Sequence, residues 1–212
     1  MRYKGVIFDL DGVICSTDDL HYQAWKEIAD ICKIPFDRKV NNRLRGVSRM
    51  ESLEIILSYS QEDWTLEQKE LLAEKKHARY RELLGTLSEE DILPGVPETL
   101  QELRARGLKL AIGSSSKNTD VILERLGLAE WFDAVADGKQ IVRSKPDPEV
   151  FLLAAEKLGL PPADCLVVED AQAGVQAAYA GGMDVACVGP AAEKGIGTYQ
   201  LAAIYDLLTL IG

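Results

Sequence analysis

Basic residues are in short supply in this chain. Its 24 lysines and arginines face 34 aspartates and glutamates, a formal net charge of −10. Nucleic acid and anionic membranes both reward a basic surface, so this balance speaks against either as a partner. Small anionic substrates stay open, because a few local cations suffice to hold a phosphate. Long apolar runs are also missing. Nothing approaches the ~18 consecutive apolar residues that suggest a transmembrane helix. The stretch from Met1 to Leu10 is charged at once and then strand-like. It has no apolar h-region and no small-residue cleavage site, so no secretory signal is expected. Cysteine is scarce too: Cys15, Cys32, Cys165 and Cys187 are widely spaced, with no Cys-x-x-Cys pair. Neither a zinc site nor a redox motif is suggested. Cys165 and Cys187 sit in strand-like apolar runs and read as core packing. A reducing, cytoplasmic setting fits. No internal repeat, low-complexity tract or heptad pattern is present, so a monomer is expected.

What is present is a chain of 212 residues, 47% of them hydrophobic. That is enough for one domain of ordinary size plus a small insert. Short apolar runs alternate with helical patterns. Gly5 to Leu10 is the first strand candidate, followed by Leu108 to Gly113, Asp133 to Ala136, Cys165 to Val168 and Asp184 to Val188. Each is short, apolar and bounded by turn residues, as buried parallel strands are. Val96, Leu100 and Leu103 share a helical face before Gly107, and Val150, Phe151, Ala154, Ala155 and Leu158 form a stripe before Gly159. Both glycines stand where helices usually stop. The alternation predicts an α/β fold, a doubly wound parallel sheet with a Rossmann-like core. One stretch breaks it. Residues 16–91 offer helical spacing (Leu20, Ala24, Ile28, Ile31; Leu53, Ile56, Leu57; Thr65 to Leu84) and no strand. The expectation is a helical cap over 16–91, inserted into a core of 1–15 and 92–212, able to act as a lid.

The strongest chemical signal is Phe8-Asp9-Leu10-Asp11-Gly12, directly after a buried strand. Ligands of open α/β sheets bind at the carboxyl ends of strands. Two carboxylates there are costly unless they share a cation or a proton. A lone Asp would read as a capping residue. Three more signals follow other strands: Ser114-Ser115-Ser116-Lys117-Asn118, expected to open a helix and offer phosphate its free N–H groups; Lys145 before Pro146; and Glu169-Asp170. Taken singly these read as an N-cap, a solvated loop charge and a cap. With Asp9, the acidic pair would make an oxygen-rich site suited to Mg²⁺.

Two Asp, a Ser, a Lys and an acidic pair, in that order and each at a strand end, resemble the haloacid dehalogenase superfamily. The resemblance covers essentially the whole chain, including the position of the helical cap. It implies that Asp9 attacks phosphorus and that Asp11 is the general acid/base. It further implies that Ser114 and Lys145 hold the transferring phosphoryl group. Asp9, Glu169, Asp170 and the Asp11 backbone carbonyl would bind Mg²⁺. This makes chemical sense, because a carboxylate is a weak nucleophile repelled by a phosphoryl dianion. A metal and a lysine remove that repulsion. An aspartyl phosphate splits a hard transfer into two easier ones. Retention of Asp11 points to phosphate esters rather than carbon–halogen bonds or phosphonates.

Local motifs sharpen the resemblance. Thr17, His21 and Trp25 follow the nucleophile strand; the cap carries Leu44-Arg45-Gly46-Val47-Ser48-Arg49; the acidic pair lies in Val168-Glu169-Asp170-Ala171-Gln172-Ala173-Gly174. Together these are similar to the family's sugar-phosphate mutases that interconvert β-glucose 1-phosphate and glucose 6-phosphate through a bisphosphate. Arg45 departs from that pattern, which has Lys; Arg is larger and binds in a fixed fork. The resemblance implies a second phosphate site made of Arg49, Ser116, Lys117 and Asn118, with Thr17, His21, Trp25, Arg45 and Gly46 also facing substrate. Taken alone, His21 and Trp25 read equally as packing and Arg49 as a surface charge. Two alternatives stand beside the mutase: a sugar-phosphate phosphatase, and a non-catalytic phosphosugar-binding module. The intact set of six core residues speaks against the module. The partner expected is a small sugar phosphate.

Overall fold

A computed structural model describes residues 2–44 and 48–211. Its strands are β1 (Gly5–Phe8), β2 (Lys109–Gly113), β3 (Ala134–Ala136), β4 (Cys165–Glu169), β5 (Asp184–Cys187) and β6 (Tyr199–Gln200). Its α-helices are α1 (Asp18–Ile31), α2 (Arg38–Asn42), α3 (Arg49–Leu57), α4 (Leu66–Leu84), α5 (Val96–Ala105), α6 (Thr119–Arg125), α7 (Glu149–Leu158), α8 (Gln172–Ala180), α9 (Gly189–Glu193) and α10 (Leu207–Ile211). The chain divides into two compact units, Met1–Ser16 with Leu87–Gly212, and Thr17–Thr86.

The larger unit is built on β1, whose four residues Gly-Val-Ile-Phe are all buried. A strand covered on both faces has no place for the polar half of an alternating pattern. The sheet is parallel throughout, in the order β3-β2-β1-β4-β5-β6. On one face Ile7, Ala111 and Val167 pack with Phe151 of α7 and Val175 and Ala178 of α8. Their neighbours along the strands, Val6, Phe8, Leu110, Ile112, Leu166 and Val168, are buried as well. The pleat turns these to the opposite face. There α5 packs on β2, and α10 packs on α5. This is the doubly wound arrangement the alternation predicts. The Tyr-Gln pair of β6 was not foreseen; it is two residues long, half-buried and exposed, and carries no apolar run.

The register places the site. Phe8 lies level with Ile112 on β2 and Val168 on β4. The residues just beyond them, Asp9, Gly113–Ser114 and Glu169, therefore arrive together at one edge of the sheet.

The smaller unit is helical. Ser48 and Thr65 start α3 and α4 through capping boxes closed by Glu51 and Gln68. Trp25, Ile28, Leu53, Ile56 and Leu72 form its apolar centre. Ile31, which the helical spacing put on the same stripe, is 51% exposed. It is the last residue of α1, where the stripe runs off the packed face.

Phe151 is among the largest fully buried side chains. Truncating it to Ala should cost about 3–5 kcal/mol of unfolding free energy by urea titration, the range for emptying a packed aromatic site. Leu66→Ala, at a position 68% exposed, should stay within about 0.5 kcal/mol of wild type. Equal losses at the two positions would show that the core is not centred on α7.

Candidate active site

Asp9 follows β1 directly, and its backbone N–H donates to the Val168 carbonyl at 2.9 Å, which extends the ladder one residue past the strand. Its carboxylate is buried and receives Lys145 Nζ at 2.5 Å. The same ammonium donates to Glu169 Oε1 at 2.9 Å. Glu169 Oε2 accepts the backbone N–H groups of Asp170 (2.6 Å) and Ala171 (2.9 Å). Every strong acceptor of Glu169 is thus engaged, as burial of a carboxylate demands. Gly12 turns the chain away at φ 90°, and a Cβ there would fall on the Asp170 carboxylate. Asp11 is half-buried beside the turn and forms a bridge with Cys15.

Lys145 comes from the loop between β3 and α7. Its side chain is 9% exposed and lies 4.5 Å over the Phe151 ring. Two contacts hold that loop. Glu149 accepts the N–H groups of Val142 and Arg143, each at 2.9 Å, and Ser115 Oγ accepts the Lys145 N–H at 3.4 Å. Glu149 was not singled out from the sequence, and Ser115 was read only as part of the polar run; only the folded loop shows what they touch.

Ser114 is buried at the end of β2, as a strand-end residue in this register should be. The run that follows leads into a helix, as expected, with Asn118 as its N-cap. Residues 114–118 form a loop, and α6 starts only at Thr119. Ser114 Oγ accepts the Ser116 N–H at 3.1 Å and Ser116 Oγ the Asn118 N–H at 3.2 Å. Serine side chains compete for backbone donors in this way and delay the helix. Ser116 and Asn118 are half-buried, and Lys117 is exposed.

The electrostatics follow from burial. Burial pushes the Asp9 carboxyl well above its usual range; Lys145 opposes this, and Glu169 and Asp11 add to it. Burial also raises Asp170, helped by the charges of Glu169, Asp9 and Asp11. For Lys145, burial favours the neutral amine, but the charges of Asp9 and Glu169 outweigh it and hold the group cationic. The ligand oxygens of Asp9, Glu169 and Asp170 lie within 4.8 Å of one another. Three acids converge while Lys145 bonds only two of them, Asp9 and Glu169, a surplus of negative charge that a hard divalent cation would balance. An all-oxygen donor set suits Mg²⁺. The residues present fit that ion.

The helical unit holds a second cluster. Lys76 of α4 is buried, with Nζ 2.8 Å from Nδ1 of His21 on α1. It lies 5.0 Å over Trp25 and 4.7 Å over Tyr80. His21 stacks on Tyr80 at 4.1 Å, and Tyr80 donates to Thr17 Oγ1 at 3.3 Å. Burial, then the Lys76 charge, lowers His21 to about 3. Burial, then the Arg49 charge, lowers Lys76 to about 7. Trp25 is buried in the unit's apolar centre, and Arg49 is exposed at the first residue of α3. Arg45 and Gly46 lie outside the described residues. Lys76 was not foreseen, because in the charge-dense sequence of α4 it looks like any solvated lysine.

A model of haloacid dehalogenase-like hydrolases matches residues 3–182. The chain belongs to this family. The β-phosphoglucomutase of Bacillus subtilis is 44% identical over 188 residues, 88% of this chain and 83% of that protein. The fructose-1-phosphate phosphatase YqaB of Escherichia coli is 35% identical over 183 residues, 86% of this chain and 95% of that protein. A crystal structure of β-phosphoglucomutase from Clostridium difficile superposes with a TM-score of 0.84 at 35% identity, covering 97% of this chain and 93% of that one. Haloacid dehalogenase members include both sugar-phosphate mutases and phosphatases, and this chain is an enzyme of that phosphoryl-transfer class. Among the described residues no helix is long and apolar enough to cross a membrane.

The lowered Lys76 sets a pH dependence. Its folded value, about 7, lies below the ordinary 10.5. Between those values the unfolded chain binds more protons, so wild-type stability should rise with pH across that window and below it bear the full, pH-independent cost of the charged buried amine. Lys76→Met removes the titrating group. The stability of wild type relative to this variant, by urea unfolding, should rise by on the order of a few kcal/mol from pH 7 to pH 10. A constant difference would mean the amine is not held neutral by burial.

Proposed function

We propose that this enzyme is a magnesium-dependent phosphomutase that interconverts β-glucose 1-phosphate and glucose 6-phosphate through β-glucose 1,6-bisphosphate. The observation that carries the reading is Asp9, a buried carboxylate at a strand end, gripped by Lys145 beside two further acids. The 44% identity to a β-phosphoglucomutase supports the choice of substrate.

With Asp9 already phosphorylated, Asp11 takes a proton from the C6 hydroxyl of β-glucose 1-phosphate, which attacks the phospho-aspartate, gives the bisphosphate and frees the Asp9 carboxylate. In the second half Asp9 attacks the C1 phosphorus of the bisphosphate, the bond from that phosphorus to the sugar oxygen breaks, and the aspartyl phosphate forms again. Asp11 gives its proton to the departing C1 oxygen, and glucose 6-phosphate leaves. Lys145 keeps a positive charge beside the transferring group, and Ser114 supplies a hydroxyl to one of its oxygens. Asp9, Glu169, Asp170 and the Asp11 carbonyl would hold Mg²⁺, which when bound offsets the repulsion between carboxylate and phosphoryl group. The phosphate that is not reacting is assigned to Arg49, Ser116, Lys117 and Asn118, and the sugar to Thr17, His21, Trp25, Arg45 and Gly46. In this reading the unit of residues 17–86 serves as the cap. A phosphatase reading keeps the same steps at Asp9 and lets water take the phosphoryl group. The 35% identity to a fructose-1-phosphate phosphatase favours keeping it as the second reading.

Asp9→Asn keeps the shape and removes the nucleophile. Its kcat should fall about 10⁴-fold or more while the protein stays folded, with a lower melting temperature because the amide leaves the buried Lys145 charge less compensated. Substantial residual turnover would exclude covalent catalysis at Asp9.

Product analysis separates the two readings. Pure β-glucose 1-phosphate with Mg²⁺ should react after a lag that added bisphosphate or acetyl phosphate shortens, yielding glucose 6-phosphate with little inorganic phosphate. Arg49→Ala should slow this reaction by ~10-fold or more and leave acetyl phosphate hydrolysis nearly intact, since acetyl phosphate has no second phosphate to hold. Stoichiometric inorganic phosphate without glucose 6-phosphate would assign the enzyme to the phosphatases.

A further inference from the structure

Gly174 lies in the first turn of α8, and its φ is outside the left-handed region. Nothing in its backbone calls for glycine, and in a helix Ala is ordinarily favoured by about 0.8–1.0 kcal/mol. What stands in the way is Glu169. A Cβ at Gly174 would come within 2.5 Å of Glu169 Cγ and closer still to its Cδ and Oε1. Carbon atoms in ordinary contact stand about 3.5–4.0 Å apart.

Glu169 has little room to yield. It is 1% exposed. Oε1 is taken by Lys145 and Oε2 by two backbone N–H groups. A methyl group at 174 would have to swing the carboxylate away from one set of partners or the other. Either movement shifts Oε1 relative to Asp9 and Asp170, with which it converges.

We propose that Gly174 is a positioning residue for the metal site: its missing side chain is the space in which the Glu169 carboxylate is held against Lys145 and the metal-binding acids. The inference rests on the magnesium reading of that cluster. Partners that orient a ligand typically alter metal affinity 10–100-fold when disturbed.

The test is Mn²⁺ binding to the metal-free protein, followed by electron paramagnetic resonance, for wild type, Gly174→Ala, Glu169→Ala and the double variant, each also melted. Gly174→Ala should stay folded and bind Mn²⁺ at least ~10-fold more weakly. In the Glu169→Ala background the same substitution should have no further effect on Kd and should raise the melting temperature, because the methyl group then meets no carboxylate. An unchanged Kd in Gly174→Ala, with Glu169→Ala weakened, overturns the positioning role and leaves the metal reading standing. A wild-type protein that does not bind Mn²⁺, or a Glu169→Ala variant that binds it normally, overturns the metal reading and this inference with it. If Gly174→Ala does not fold, recovery of folded protein in the double variant upholds the clash, and a double variant equally unfolded overturns it.

Discussion

The fold depends on one contact at the carboxyl edge of its sheet: the Lys145 ammonium between Asp9 and Glu169. Each of the three groups would be expensive to bury alone. Together they fix what surrounds them. The lysine must reach from the loop before α7, so that loop is tied down by Glu149 and Ser115. The two carboxylates must be level with each other, which the pairing of Phe8 with Val168 guarantees. Gly12 must leave without a side chain, because Asp170 occupies the space beside it. A one-residue slip of β1 against β4 would break the ion contacts and turn the apolar residues of β1 to the wrong faces at once. Core packing and site geometry therefore select the same register.

The contact is also incomplete. One lysine does not balance the acids that converge there, and the raised proton affinities of Asp9 and Asp170 express that surplus. A protonated carboxyl is a poor nucleophile. In the proposed mechanism Asp9 acts as a carboxylate, so a further positive charge in the cluster would favour the form that attacks. Protons and a divalent cation would compete for the same oxygens.

Much of this was legible in the sequence, and for physical reasons. The buried strands announce themselves because both faces are covered, so their interiors are apolar. Asp9, Glu169 and Asp170 stand out because charges at the ends of such strands contradict their surroundings, whereas Lys145, nine residues past β3, is marked only by its place in the ordered set. β6 escaped notice because a short edge strand with polar residues has no such pattern. The serine run was read as opening a helix and does, ending on the N-cap Asn118 of α6; its hydroxyl contacts to its own backbone were not legible. Lys76 was hidden for the opposite reason from Lys145: it sits among the many charges of α4, where nothing marks one lysine as buried. Gly174 carries no charge and no positive φ. Its role is visible only as the space that another side chain occupies.

The two buried lysines show how far neighbours, rather than burial, decide a charge. Burial favours the neutral amine in both. At Lys145 two carboxylates reverse the outcome and the group stays cationic. At Lys76 no carboxylate is among the causes; the neighbouring charge is Arg49, and the value falls to about 7. The first lysine is a permanent counter-ion for whatever anion Asp9 receives. The second is poised, its charge set by what comes near. An anion approaching Lys76 or Arg49 would raise its proton affinity by the same Coulomb attraction that holds Lys145 charged.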